Sequence, residues 1–560
     1  MVAIANTQSV DALVVGAGFG GIYQLYSLLQ LGLNVKVIDR AADVGGTWYW
    51  NRYPGAMSDT ESYLYRFTWD KEDLQTYPWS HHYIQGPDVR KYLEHVVERH
   101  NLRPHMLFET ELRSADWHAS KNRWIVDTDV GIRFETKYLI TALGLLSKPN
   151  YPEIPGLDTF KGVKCHTAAW PEDLELAGKR VGVIGCGSTG VQVITAIASK
   201  VKELHCFQRH PQYTVPSGDR AVLPEYRQSV NENYDNIVKK VRNSKFGFGI
   251  IESETPFDSV PEEQRDEIFE TLWKQGGGFR FMSSGFSDVG FCTNIHRVWV
   301  CNEADMRSEQ IANNKVANEA ACEFIRKKIA QIVKDPEKAR KLQPRDYYAR
   351  RPLCDAGYYQ QFNRDNVNII DLKETPITSF APDGILTSDG KLHELDVVVF
   401  ATGFDAIDGN YTRLCIRGAN GHNLRDHWKD GPTSYLGMSV PNFPNMFMIT
   451  GPQSPFCNIP PAIEIHVEFI TELIKEAEGQ ADKHGTIRVE STPEAEAEWK
   501  QICETAVEGS LFKETASWIF GANVVGKTIA VRFYFGGLKA FTGELQRAIE
   551  GQYRGFQFIA

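Results

Sequence analysis

The chain has 560 residues, 42% hydrophobic and 24% charged, with a formal net charge of −10. That length holds roughly two to four domains, each with a sizeable core. The acidic balance argues against a nucleic acid or an anionic membrane as partner, since either would want a basic patch. No apolar run approaches the roughly 18 residues needed to span a bilayer.

Met1 to Val10 lacks the basic flank and apolar core of a signal peptide. The ten cysteines are scattered and form no CxxC pair. They read as reduced thiols, so a cytoplasmic protein is expected. No metal site is expected, and the sequence says nothing against a monomer.

The first element is an apolar strand, Asp11-Ala-Leu-Val-Val. It runs into Gly16-Ala-Gly18-Phe-Gly-Gly21, then an amphipathic helix to Leu31, then a strand ending at Asp39. Tyr138 to Gly144 is a further apolar strand, and the proline-rich Lys148 to Pro155 after it is the clearest linker. The opening pattern then recurs: Arg180-Val-Gly-Val-Ile, Gly185-Cys-Gly187-Ser-Thr-Gly190, a helix to Ala198, and a strand Glu203 to Phe207. Gly218 to Arg345 is polar, with helical spacing over Pro261 to Lys274 and Ala317 to Val333. Inside it, Gly290 to Gln310 has no period and reads as a surface loop. Asp396 to Phe404 is a late apolar strand that crosses between domains.

The fold class expected is α/β: two dinucleotide-binding, Rossmann-like domains, for FAD and for NADP, with a helical insert. Residues 1–146 and 395–560 would form the first domain. Residues 147–216 and 348–394 would form the second, linker included, with 217–347 as the insert.

A lone GxGxxG is weak, but each copy here follows a strand and opens a helix, as dinucleotide binding requires. Gly16 and Gly185 allow the tight turn, and Gly18 and Gly187 admit the pyrophosphate. Gly21 and Gly190 let helix and strand approach closely. The helix N-terminus supplies N–H groups for the phosphates. Asp39 ends the first copy, where a carboxylate accepts from an unphosphorylated ribose diol and repels a 2′-phosphate. The second copy ends in Gln208-Arg209-His210. Arg209 suits a 2′-phosphate, or is a plain surface arginine. FAD with NADPH is the economical pairing, because hydride passes naturally from nicotinamide to flavin. A disulfide reductase would need a cysteine pair beside the flavin, and no cysteine precedes Cys165.

Two longer motifs carry a family resemblance. Phe160-Lys-Gly162-Val-Lys-Cys-His166-Thr-Ala-Ala-Trp170-Pro171 matches FxGxxxHxxxW(P/D) at every fixed position. Gly45-Gly46-Thr-Trp48-Tyr-Trp-Asn-Arg-Tyr53-Pro54-Gly55-Ala-Met-Ser-Asp59 matches a second motif through its final aspartate. With these, the chain closely resembles the Baeyer–Villiger monooxygenases over nearly its whole length. Arg350-Arg351-Pro-Leu-Cys and Gly276-Gly-Gly-Phe-Arg-Phe281 place the resemblance in the cyclohexanone monooxygenase branch. The segment from Gly290 departs from that branch by its extra length.

The resemblance implies that FAD and NADPH serve to insert one atom of O2 beside a ketone carbonyl, through a peroxide on the reduced flavin, giving an ester or lactone. It implies that Arg351 is the catalytic cation, oriented by Asp59. By residues alone, Arg351 could equally pair with Asp355, and Asp59 could cap a following helix. Arg350 joins Arg209 and His210 at the 2′-phosphate. Ser188, Thr189 and Gln192 would line NADP; Thr47, Trp48 and Tyr65 would line FAD. His166 and Trp170 would lie on the interdomain linker. Trp518 would sit on a mobile loop over NADP, or in the core. Leu145, Leu146, Phe279, Phe456, Cys457 and Ile459 would form an apolar ketone pocket, or ordinary core. A flavin monooxygenase oxidising nitrogen or sulfur, and a cofactor-binding protein without turnover, are the alternatives.

Overall fold

The structure is a computed structural model and describes residues 6–250, 253, 255–288 and 308–560. Strand β1 (Asn6–Val15), helix α1 (Phe19–Gln30) and strand β2 (Val35–Ile38) form the first Rossmann unit. β1 pairs in parallel with β2 on one side and with Ile132–Thr141 on the other. Met446–Met448 extends this parallel sheet, and Leu112–His118 with Arg123–Thr128 adds an antiparallel meander. Alternate β1 side chains serve two cores. Ala12 and Val14 pack with Ile22, Leu25 and Ile470; Leu13 and Val15 pack with Trp117 and Trp124. Burial on both faces is why the end of β1, Ala12 to Val15, reads as a continuous apolar run.

Strand β3 (Arg180–Ile184), helix α2 (Ser188–Ile197) and strand β4 (Glu203–Gln208) repeat the unit. Their sheet has five parallel strands: Val367–Asp371, β4, β3, Val397–Phe400 and Val163–His166. This moves one expected boundary. The first domain was expected to resume at residue 395, but Val397–Phe400 lies between β3 and Val163–His166. The chain crosses over only after Phe400, because a run of four buried apolar residues completes the second sheet rather than leaving it.

Thr214–Pro216 and Leu353–Asp355 pair in parallel at the base of the helical insert. The two helices expected within it are Glu262–Gln275 and Lys315–Ile332. Asn314 caps the latter through its side chain, accepting from the N–H groups of Val316 and Ala317. Of the segment Gly290 to Gln310, residues 290–307 lie outside the described residues. Ser308–Glu309 is no loop: it pairs antiparallel with Ser287–Asp288, and Gln310 opens a short helix. Among the described residues no helix is long and apolar enough to cross a membrane.

Candidate active site

Both glycine turns open onto one cavity of about 1340 Å³. Gly16 has φ +114° and Gly185 φ +105°, conformations that L side chains rarely adopt. A Cβ on Gly21 would lie 1.7 Å from the Gly16 oxygen, and one on Gly190 2.3 Å from the Gly185 oxygen. The second helix therefore seats on its turn as the first does. A Cβ on Gly187 would meet nothing within 4 Å, so backbone there stands open to the cavity. Neither Gly18 nor Gly187 is followed by a side-chain cap, which leaves the first-turn N–H groups of α1 and α2 free for an anion.

At the end formed by the first glycine turn, Asp39 Oδ2 accepts from Ala17 N at 2.6 Å and Oδ1 from Ala41 N at 2.8 Å. The carboxylate thus braces the first glycine turn while lining the cavity. Burial pushes its pKa up, against those two N–H bonds. Thr47 and Trp48 open a short helix, and Trp48 Nε1 donates to Tyr65 Oη at 3.2 Å. Burial pushes the Tyr65 hydroxyl up to about 12, so it stays protonated. Sequence reading passed over Arg40 and Arg413, which also line this end. The Arg40 guanidinium stands 4.4 Å over the Trp50 ring, next in sequence to Asp39.

At the other end, Ser188, Thr189 and Gln192 line the cavity from α2. Gln192 is already engaged: Nε2 donates to Met57 O at 3.0 Å, and Oε1 accepts from Tyr53 Oη at 2.7 Å. It ties α2 to the first unit. Arg209 is exposed and makes no hydrogen bond or ion pair among the described residues. Arg350 Nη2 donates to Asp346 at 2.7 Å and Nε to the Ala516 carbonyl at 3.2 Å. His210 Nδ1 lies 3.4 Å from Asp346. His210 and Arg350 together hold the Asp346 carboxyl well below its usual range. Sequence reading did not foresee this acid beside Arg350 and His210. Trp518 is half-buried, its ring edge-on to Phe533 at 5.9 Å, two residues beyond the Ala516 carbonyl.

Between the two ends stands Arg351. It precedes the short strand Leu353–Asp355 and reaches Asp59 with both terminal nitrogens. The Nη2 to Oδ1 distance is 2.7 Å. Burial alone would lower the Arg351 pKa, but Asp59 outweighs it and the guanidinium is held above its ordinary value. Two sequence alternatives fall here. Asp355 is not its partner: it accepts from Thr214 Oγ1, Gly357 N and Tyr358 N. Asp59 caps no helix, because Met57–Glu61 is a strand.

All six expected pocket residues line the cavity, but they divide. Leu145, Leu146, Phe279 and Phe456 pack in the core of the second unit and insert, while Cys457 and Ile459 pack against that of the first. Phe248 and Phe533 line it too. Phe248 stacks on Phe279 at 4.7 Å. Its place between Gly247 and Gly249 was the available signal. His166 lies off the chemistry: Nδ1 accepts from Ala168 N, so Nε2 carries the proton and donates to Gly403 O at 3.1 Å. Burial lowers it to about 4, leaving it neutral as it ties one interdomain strand to the other. Trp170 is buried beside it in sequence.

Comparison with known proteins agrees with this geometry. The pyridine nucleotide-disulphide oxidoreductase family model matches residues 13–252, the span of both glycine turns. The eight described cysteines are all free. A cyclohexanone 1,2-monooxygenase from Acinetobacter sp is 47% identical over 99% of this chain and 97% of its own length. A phenazine N-monooxygenase from Lysobacter antibioticus is 46% identical over 98% and 96%. The crystal structure of cyclohexanone monooxygenase from Rhodococcus sp. Phi1 bound to NADP+ superposes with a TM-score of 0.93 at 50% identity, covering 99% of this chain and 100% of that one. With both cofactor turns, the Asp59–Arg351 pair and these full-length likenesses, the chain belongs to the Baeyer–Villiger monooxygenases, in their cyclohexanone monooxygenase branch.

Proposed function

We propose that this enzyme uses FAD, NADPH and O2 to convert a ketone, cyclic by preference, into a lactone or ester. The observation that carries the reading is Arg351, held by Asp59 in a cavity that both glycine turns share. Two uncapped helix N-termini and the open backbone at Gly187 fit two pyrophosphates. The first turn, with Asp39, Thr47, Trp48 and Tyr65, would hold FAD. The second, with Ser188, Thr189 and Gln192, would hold NADPH.

Bound FAD, once reduced by NADPH, supplies the oxygen chemistry. Arg351 supports the negative charge that builds on the ketone oxygen as a new C–O bond forms at its carbon. A guanidinium cannot lose its proton, and its N–H groups are aimed before reaction begins. Asp59 keeps that aim. Phe248, Phe279 and Phe456 exclude water from the carbonyl. The eight described cysteines, all free, support a reducing, cytoplasmic setting.

A ketone panel with NADPH, its products identified by mass, tests the reading: the mass must rise by one oxygen and the product must hydrolyse as an ester. The likeness to a phenazine N-monooxygenase favours a second reading, oxygen transfer to a ring nitrogen. An N-heteroaromatic in the same panel separates the two.

Coenzyme choice gives a further expected result. Arg209 has no hydrogen-bond or ion-pair partner among the described residues, so its charge is available to the 2′-phosphate. Arg209→Ala should raise the NADPH KM about tenfold, the loss of one charge-assisted hydrogen bond of about 1.5 kcal/mol. The NADH KM should hardly move. Equal losses with both coenzymes would refute the role.

A further inference from the structure

The wall of the pocket is tied to Arg351 by a second ion pair that does not touch the cavity. Phe279 and Arg280 lie in the short helix Gly278–Ser283. The glycines around its start seat it tightly. A Cβ on Gly276 would lie 2.6 Å from the Ser217 oxygen, and one on Gly278 2.8 Å from the backbone of Pro352 and Leu353. The helix therefore rests on the chain that directly follows Arg351. The Phe279 ring covers that arginine, its centroid 5.7 Å from the guanidinium carbon.

Arg280 points the other way. Its Nη1 donates to Gly276 O at 3.2 Å, within its own turn, and its Nη2 to Glu61 Oε2 at 2.9 Å. Glu61 stands two residues beyond Asp59 on the strand Met57–Glu61, whose pairing with Tyr83–Gln85 shifts register between Met57 and Glu61. Tyr63 Oη also donates to Glu61, at 3.3 Å. The contacts close a ring: Asp59 holds Arg351, Phe279 covers Arg351, Arg280 follows Phe279, and Glu61 holds Arg280. Neither Glu61 nor Arg280 lines the cavity, whereas Asp59, Phe279 and Arg351 all do.

We propose that Glu61 and Arg280 are positioning residues, which set the Phe279 wall against Arg351 and so fix where a ketone ring sits. This rests on the ketone-oxidising reading above. An isolated, partly exposed ion pair contributes little to stability. Geometry is the role left to this one, and a shift of about 1 Å in a reacting group can cost on the order of a hundredfold.

The test compares the FAD-loaded wild type with Glu61→Gln, Arg280→Ala and Arg280→Lys. FAD content and the rate of flavin reduction by NADPH should match wild type in all three. In Glu61→Gln and Arg280→Ala the KM for cyclohexanone should rise about tenfold, within the range set by such a shift. The share of NADPH ending in product should fall, with hydrogen peroxide making up the difference. Arg280→Lys should recover most of both, because an ammonium still reaches Glu61. Wild-type KM and coupling in Glu61→Gln would overturn the proposal. So would a variant that loses FAD or melts early while its surviving holoenzyme stays fully coupled, since the pair would then be structural only. The Kd for cyclohexanone on the oxidised holoenzyme is read alongside. If the wild type makes no ester, the functional reading fails, yet a weaker Kd in the variants still supports the positioning role and an unchanged Kd defeats it.

Discussion

Arg351→Ala is expected to give a yellow protein that still oxidises NADPH and makes almost no ester. The loss should be about a hundred- to a thousandfold, or roughly 2.7–4 kcal/mol, as for other donors aimed in advance at a developing oxyanion. The reason lies in how the arginine is held. Both terminal nitrogens are bound to Asp59, whose side chain is only 12% exposed. The guanidinium is thus fixed before any ketone arrives, and no reorganisation is required during reaction. Removing it also strands the Asp59 carboxylate, which is why FAD content must be measured in the same preparation. Arg351→Lys should not restore full activity, because an ammonium cannot occupy both carboxylate oxygens in one plane. Near-normal lactone formation by Arg351→Ala would remove this residue from the chemistry. Loss of NADPH oxidation as well would place it in coenzyme binding instead.

What could be read from the chain beforehand follows the range of each interaction. The strand–glycine–helix units were legible because each is local. An apolar run, a φ that only glycine tolerates and a helix with no side-chain cap all fall within about twenty residues. The second sheet's membership was not. Val397–Phe400 reads as a strand wherever it goes, and only its pairing with β3 assigns it. Asp59 was ambiguous for the same reason. Its neighbours Thr60 and Glu61 suit a helix start, and the strand they form is imposed by pairing with Tyr83–Gln85. Arg351 and Asp59 stand 292 positions apart, and no periodicity joins them; the family motifs did. Distance likewise hid Glu61 opposite Arg280, 219 positions apart; Asp346 is only four residues from Arg350, and it was passed over because no motif marks it. The six pocket residues were found by apolar type and motif position, which cannot show that Cys457 and Ile459 pack with the other unit.

Substituting the packing glycines should separate the two cofactors completely. A Cβ on Gly21 would sit 1.7 Å from the Gly16 carbonyl oxygen, and one on Gly190 2.3 Å from that of Gly185. Both obstacles are backbone, so neither can swing aside as a side chain would. The helix must move off its turn, and its first-turn N–H groups move with it. Ordinary overpacking costs about 1–3 kcal/mol, and a clash with backbone this close belongs at or beyond the top of that range. Gly21→Ala should therefore yield protein without flavin colour. Gly190→Ala should stay yellow and be bleached by dithionite but not by NADPH. Gly187→Ala separates packing from ligand contact, since a Cβ there meets nothing within 4 Å. It should fold with an unchanged Tm and show a raised NADPH KM, because its methyl group occupies the coenzyme's approach to the backbone. Absorbance near the flavin band, with single-turnover reduction by NADPH, reads all three variants. A yellow Gly21→Ala that NADPH cannot reduce would mean the two cofactors have been assigned to the wrong turns.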